Sequence, residues 1–247
     1  MKRRLFLASS IATALAGCAP IGTALNDNSG FHHVLGFEGR LDAALMENLP
    51  GRAREYSLAD ISKHFPVDSL PTPTSTAYQR LLARDFHDYT LSVIGAVERP
   101  LRLPLAQLQR MPQQTQITRH DCVEGWSAIA AWTGIPLHRI LQIARPHRGA
   151  RYVIFRCMDS DSQGTPYYES LDMEQAYQSQ SLLALRFNGE PIPPDRGAPL
   201  RLCVPTQLGY KSAKWLREIQ IVGSFGHLYG GKGGYWEDQG YEWYAGI

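Results

Sequence analysis

Residues 150–158, ARYVIFRCM, suit a β-strand and little else, because aromatic and β-branched side chains fit a pleated, half-buried surface. Comparable stretches recur along the chain. They are YTLSVIGAV at 89–97, with Leu91 and Val93 on one side, TQITR at 115–119, SLLALRFNG at 181–189, PLRLCVP at 199–205 and WLREIQIVG at 215–223. The helical segments between them are short. One starts from a Thr/Ser cap at 74–76 and runs through Tyr78, Leu81 and Leu82. PLAQLQRM at 104–111 is a second, and DMEQAYQ at 172–178 a third. A fourth begins near Pro136, which a first turn tolerates, and sets Leu137, Ile140, Leu141 and Ala144 on one apolar face. Strands interspersed with short helices predict one α+β domain of mixed sheets over 58–247. The run NGEPIPPDRGAP is expected as a proline-stiffened loop and not a tight hairpin. The tail, rich in glycine and aromatics, is expected as a strap packed on the body.

Residues 1–18 read differently. Lys2, Arg3 and Arg4 precede an apolar stretch from Leu5 to Ala16, too short for the ~30 Å hydrocarbon core of a bilayer. That is the pattern of an export signal. Arg3-Arg4-Leu5-Phe6-Leu7 resembles the twin-arginine signal, whose route carries folded proteins, with Lys2 where a Ser or Thr is usual. Leu15-Ala16-Gly17-Cys18 resembles a lipobox, which makes Cys18 a candidate for lipidation; a generic secretory signal is the plainer reading. Acyl chains stabilise membrane attachment by about 0.8 kcal/mol per buried methylene. Residues 19–57 read as a tether and extension with a short helix over 40–48, and His32-His33 as solvated. Without residues 1–17, Lys+Arg falls from 25 to 22 against 23 acidic residues, so the body carries about −1. Neither a nucleic-acid surface nor a polybasic membrane patch follows from that balance.

The chain holds four cysteines, 18, 122, 157 and 203; with Cys18 acylated, three remain, an odd number for an oxidising compartment. No C-x-x-C, H-x-x-x-H or H-E-x-x-H spacing marks a zinc site. Cys122, in TRHDCVEGWSAIAAWTG, is open to three readings: nucleophile, metal ligand or small core hydrophobe. A nucleophile needs a nearby base, and His120 is expected to face away from it.

TRHDCVEGWSAIAAWTGIPLHRIL, ARYVIFRC, YYESLD and NGEPIPPDRGAPLRLCVPTQLGYKSAKW together resemble the molybdopterin-binding domain of the sulfite oxidase family, over roughly residues 58–243. C-V-E-G-W-S and L-G-Y-K-x-x-K-W are the specific motifs. The resemblance is to the compact bacterial form, such as the exported single-domain reductases. It implies that fold and a Mo-molybdopterin cofactor, one pyranopterin dithiolene per metal, with Cys122 as the protein's thiolate ligand. A soft thiolate suits such a metal, and coordination deprotonates it. Arg201, Ser212 and Lys214 match positions at the phosphate and pterin, and the backbone from Lys211 through Ala213 to Lys214 offers further donors in a nest-like turn. Plain solvated charge is the alternative for these residues.

Other matches are looser. Arg196 stands where relatives carry His or Asn as a pterin contact. Cys157 stands where an exported relative has a threonine contact, or is a core thiol. His64 falls near a pterin contact of the N-terminal part. Arg119 brings positive charge to the site for an anionic or oxo-bearing substrate, or pairs with Asp121 or Glu124. Tyr167, Tyr168 and the aromatic tail are candidates for the pocket wall. The resemblance implies oxygen-atom transfer at the metal in the periplasm. Electrons pass singly to or from a c-type cytochrome or membrane haem protein, since the chain has no C-x-x-C-H haem motif. A lipid anchor would keep it near that partner. Sulfite, a sulfoxide or another oxyanion all remain open as substrate. The rival readings are a non-catalytic lipoprotein that keeps the fold and a thiol enzyme using Cys122 with His120.

Overall fold

The computed structural model describes residues 51–68, 70 and 72–247, all within one compact unit, Met46–Ile247. The segment expected as an export signal, Cys18, His32-His33 and the helix expected over 40–48 lie outside the described residues.

Ten strands form two sheets among the described residues. The first runs in the order β2 (Leu101–Pro104), β1 (Thr90–Gly95), β10 (Leu216–Val222), β5 (Tyr152–Ser160) and β6 (Pro166–Asp172). Only β1 and β10 pair in parallel there. The second sheet has the order β3 (Gln114–Asp121), β4 (Ser127–Pro136), β7 (Leu182–Phe187) and β8 (Glu190–Pro191), with β9 (Arg201–Cys203) also on β7. Five short helices accompany them: α1 (Thr76–Leu82), α2 (Leu105–Arg110), α3 (Leu137–Ala144), α4 (Met173–Tyr177) and α5 (Tyr235–Asp238). The mixed α+β architecture expected from the sequence is the one observed.

Local chemistry explains most boundaries. The Ser75 hydroxyl accepts from the Tyr78 amide and caps α1. Helix α3 buries Leu137, Ile140, Leu141 and Ala144 completely, the face its periodicity predicts. Strand β4 has no such signature. It lies between β3 and β7 and is buried on both faces along most of its length, so SAIAAWTGIP shows no alternation to read. Between Thr133 and Gly134 its pairing with β7 shifts register, and a Cβ at Gly134 would stand 2.0 Å from the Leu183 carbonyl oxygen. Only glycine permits that approach.

The expectation of a plain loop after β7 needs correction. Phe187 pairs with Glu190 and Arg186 with Pro191 in a tight hairpin, closed by Asn188 and Gly189 at φ 50° and 89°. Asn-Gly accepts positive φ at both turn positions, and that preference prevails before the prolines begin. Both sheets feed one apolar core that includes Trp132, Phe155 and Trp215. Its buried phenols are satisfied: Tyr89 donates to the Leu216 carbonyl and Tyr78 to that of Ala198.

The tail is a strap, as expected. The Leu208 amide donates to the Ala245 carbonyl, the Ala245 amide to the Gln207 side chain, and the Tyr210 hydroxyl to the Glu242 carbonyl. It is thereby fastened to the loop that leads into Lys211–Lys214.

Candidate active site

Cys122 follows the last residue of β3 and opens the turn to β4, where a strand gives way to a loop. Its amide donates to the Trp126 carbonyl at 2.9 Å, and its carbonyl accepts from the Gly125 amide at 3.1 Å, with Gly125 at φ 87°. Asp121 clamps the base of that turn, accepting from Ser127 Oγ at 2.5 Å and from Arg119 Nε at 2.9 Å. The sulfur is thus held by backbone geometry on a short rigid turn, and Cys122 is half-buried.

Cys122 lines a cleft. Around it are His120 of β3, Asp159 of β5, Tyr167 of β6 and Trp236 of α5. The loop Gly209–Lys214 and the segment through Asp68 and Leu70 complete it. His120 therefore shares the cleft with Cys122, contrary to expectation: side chains two apart on an extended chain point the same way. Gly209 allows this, because a Cβ there would lie 2.4 Å from His120 Nε2.

The electrostatics of the two groups do not favour a nucleophile and base. Burial, helped by the Arg201 and Lys214 charges, drives His120 down to about 3. Burial also raises the Cys122 thiol, against the pull of the Glu124 backbone. An activated Cys–His pair needs the opposite shifts.

Next to the cleft sits a cluster of cations. Arg201, almost wholly buried, donates to the carbonyls of Arg196 at 3.1 Å and Ser212 at 2.9 Å and lies 4.9 Å over the Trp132 ring. Lys214 pairs with Asp68 at 2.5 Å. Gly197 separates the two cations, and a Cβ on it would come within 3.0 Å of Arg201 and 3.1 Å of Lys214. Among the described residues no carboxylate pairs with Arg201. A buried guanidinium held only by carbonyls is a standing demand for an anion. Of the loop amides, Lys211 and Ser212 donate to the Leu208 and Gly209 carbonyls. Those of Ala213 and Lys214 make no such bond among the described residues.

The other residues singled out from sequence are placed differently. The ammonium of Lys211 is entirely buried, 2.7 Å from Glu169 and ion-paired with Glu237 of the strap, so it points into a closed network and not toward a ligand. Arg196 donates to the Phe65 and Pro66 carbonyls and lies between the Phe65 and Phe187 rings, where it braces the loop that precedes Asp68. Arg119 is exposed and paired with Asp121 on the strand face away from His120, outside the cleft. His64 is exposed, while its neighbour Phe65 is buried against His120. Cys157 is a buried thiol raised by desolvation and is not part of the cleft lining. Asp68, Asp159 and Trp236 carry no sequence signal for the cleft they line. Each reaches the cleft through long-range packing, and only the aromatic richness of the tail hinted at Trp236.

Among the described residues no group of three or more His, Cys, Asp or Glu side chains gathers as a metal site. The thiol on the cleft, Arg201 with no carboxylate partner among the described residues, and the Ala213 and Lys214 amides fit a phosphorylated dithiolene cofactor.

Comparison with known proteins agrees. The oxidoreductase molybdopterin-binding domain family matches residues 78–224. A provisionally named protein-methionine-sulfoxide reductase subunit, YedZ1 of Azospira oryzae, is 40% identical over 162 residues, which is 66% of this chain and 57% of that protein. The protein-methionine-sulfoxide reductase catalytic subunit MsrP of Xanthomonas axonopodis pv. citri is 38% identical over 54% of this chain and 45% of its own. The chain thus spans about half the length of these curated relatives. The crystal structure of the sulfane dehydrogenase SoxCD from Paracoccus pantotrophus is similar with a TM-score of 0.50 at 25% identity, over 56% of this chain and 39% of that one.

Proposed function

The chain belongs to the oxidoreductase molybdopterin-binding domain family, of the sulfite oxidase type, and from that premise we propose that it reduces a sulfoxide at a molybdenum held by Cys122. The observation that carries this reading is the Cys122 sulfur, fixed on a rigid turn and opening onto the cleft beside the unbalanced Arg201. The bound cofactor supplies two-electron oxygen-atom transfer. Arg201, Ser212 and Lys214, with the Ala213 and Lys214 amides, hold its phosphate and pterin. Asp121 and the Cys122 turn orient the thiolate. Trp236 and Tyr167 wall off the cleft and limit water at the reacting centre. The names of the relatives point to methionine sulfoxide as the substrate.

The twin-arginine and lipobox patterns at residues 3–18 support export of the folded protein to the periplasm and anchoring through Cys18. There a c-type cytochrome or membrane haem protein would deliver electrons one at a time.

The test is metal and pterin content of the protein from its own membrane fraction, beside Cys122→Ser. About one molybdenum and one pterin per chain in the wild type, with metal lost from the variant, is expected. Folded wild-type protein empty of both would leave a non-catalytic lipoprotein as the better reading.

A further inference from the structure

Asp159 lies where β5 leaves its regular ladder. The pairing of β5 with β6 runs in register from Tyr152–Asp172 to Arg156–Tyr168, slips, and resumes at Ser160–Pro166. Such irregularities re-aim a side chain, and here the slip coincides with a carboxyl in the cleft that Cys122 lines. Its Oδ1 is buried and has no hydrogen-bond partner among the described residues. The acids near it are engaged: Asp68 with Lys214 at 2.5 Å, Glu124 with the Trp126 indole at 3.0 Å, and Asp121 with Ser127 and Arg119. Among the described residues Asp159 makes no ion pair, although Lys214 is close enough to be felt.

We propose that Asp159 is the acid of the cleft, which delivers a proton to the oxygen leaving the substrate. The proposal rests on the oxygen-transfer reading above. Reducing a sulfoxide breaks the S–O bond, consumes two electrons and two protons, and releases a sulfide and water. The electrons come from the one-electron haem carrier. One proton comes from the Asp159 carboxyl, which solvent then reprotonates, and the second comes directly from solvent.

The surroundings suit that task. Burial pushes the Asp159 carboxyl up to about 7; Lys214 opposes the shift and Asp68 adds to it. A group poised near the working pH gives up a proton readily and regains it. The other titratable groups facing it are Cys157 on its own strand, Tyr167 on β6 and Tyr235 on α5. Across the cleft are His120, Cys122, Glu124 and Tyr210. Burial raises Cys157, Tyr167 and Tyr235, so all three keep their protons at neutral pH.

The experiment compares wild type with Asp159→Asn and Asp159→Glu as holoenzymes, using methionine sulfoxide and a reduced viologen dye. The Asn variant should keep wild-type molybdenum and pterin, hold KM within a few fold and lose at least about 100-fold in kcat. The fall in wild-type kcat above about pH 7 should vanish in it, and the Glu variant should recover part of the rate with a shifted limb. A second readout needs no turnover. A raised carboxyl binds more protons in the native than in the unfolded state, so the wild type loses stability as pH rises from about 4 to 7. In metal-free protein, Asp159→Asn should melt at a higher temperature than wild type at pH 8 and close to it at pH 4.

An Asn variant that keeps kcat with the same alkaline limb, or shows no pH-dependent difference in melting, overturns the proposal. Loss of pterin from that variant alone would also overturn it and assign Asp159 to holding the cofactor. Wild type lacking molybdenum would overturn the oxygen-transfer reading itself, and the acid role with it.

Discussion

A lysine with no exposed surface has to be matched by carboxylates, and Lys211 has two. Glu169 and Glu237 share one buried ammonium, leaving Glu169 Oε1 and Glu237 Oε2 without hydrogen-bond partners among the described residues, and burial holds the Glu169 carboxyl well above its ordinary range. Two acids around one cation cannot both ionise cheaply, so the three members are not equivalent. Lys211→Met should destabilise by about 3–5 kcal/mol in urea titration, because it strands both acids. Glu169→Gln should cost much less. Since Glu169 is raised in the native state, its contribution is lost as pH climbs above its unfolded value, and the Gln variant should flatten that alkaline decline. Little of this is legible in the sequence. The motif around Lys211 marks a cofactor loop, but its side chain is claimed by acids 42 and 26 residues away. Cys122 was legible because its neighbours are local, whereas Asp159 depends on a register slip that no spacing announces.

Elements tell the same story one level up. Helix α3 could be read from its face and β5 from its composition, since each shows its period or its residue types directly. The strands β2, β4 and β6 carry no such signature: β2 is four residues long, and β4 and β6 are buried on both faces. Nothing alternates in such a strand, and β4 also runs straight into α3, so the two patterns merge. Its glycine at the bulge is the exposed weakness of that arrangement. Gly134→Ala should cost about 1–3 kcal/mol by thermal or chemical denaturation, since the methyl group meets backbone that cannot step aside. Gly149→Ala is the control, with nothing within 4 Å of its added Cβ and no positive φ to strain.

At the scale of the whole molecule, the cleft draws on both sheets, on the segment before α1 and on the C-terminal strap. The α+β class and a packed tail were readable; the way two five-stranded sheets bring Cys122, Asp159 and Trp236 to one place was not, because only long-range packing decides it. Ending the chain after Gly234 would remove Trp236 from the cleft wall and Glu237 from Lys211. The truncated protein should melt well below the full chain and release molybdenum faster during gel filtration, a loss that the intact strap should prevent. The strap also sets a clock. Glu237 leaves the ribosome 26 residues after Lys211. At about 5–20 residues per second, roughly one to five seconds pass in which the lysine exists without its second acid. A nascent chain therefore has no finished cleft wall until Trp236 and Glu237 have both been made.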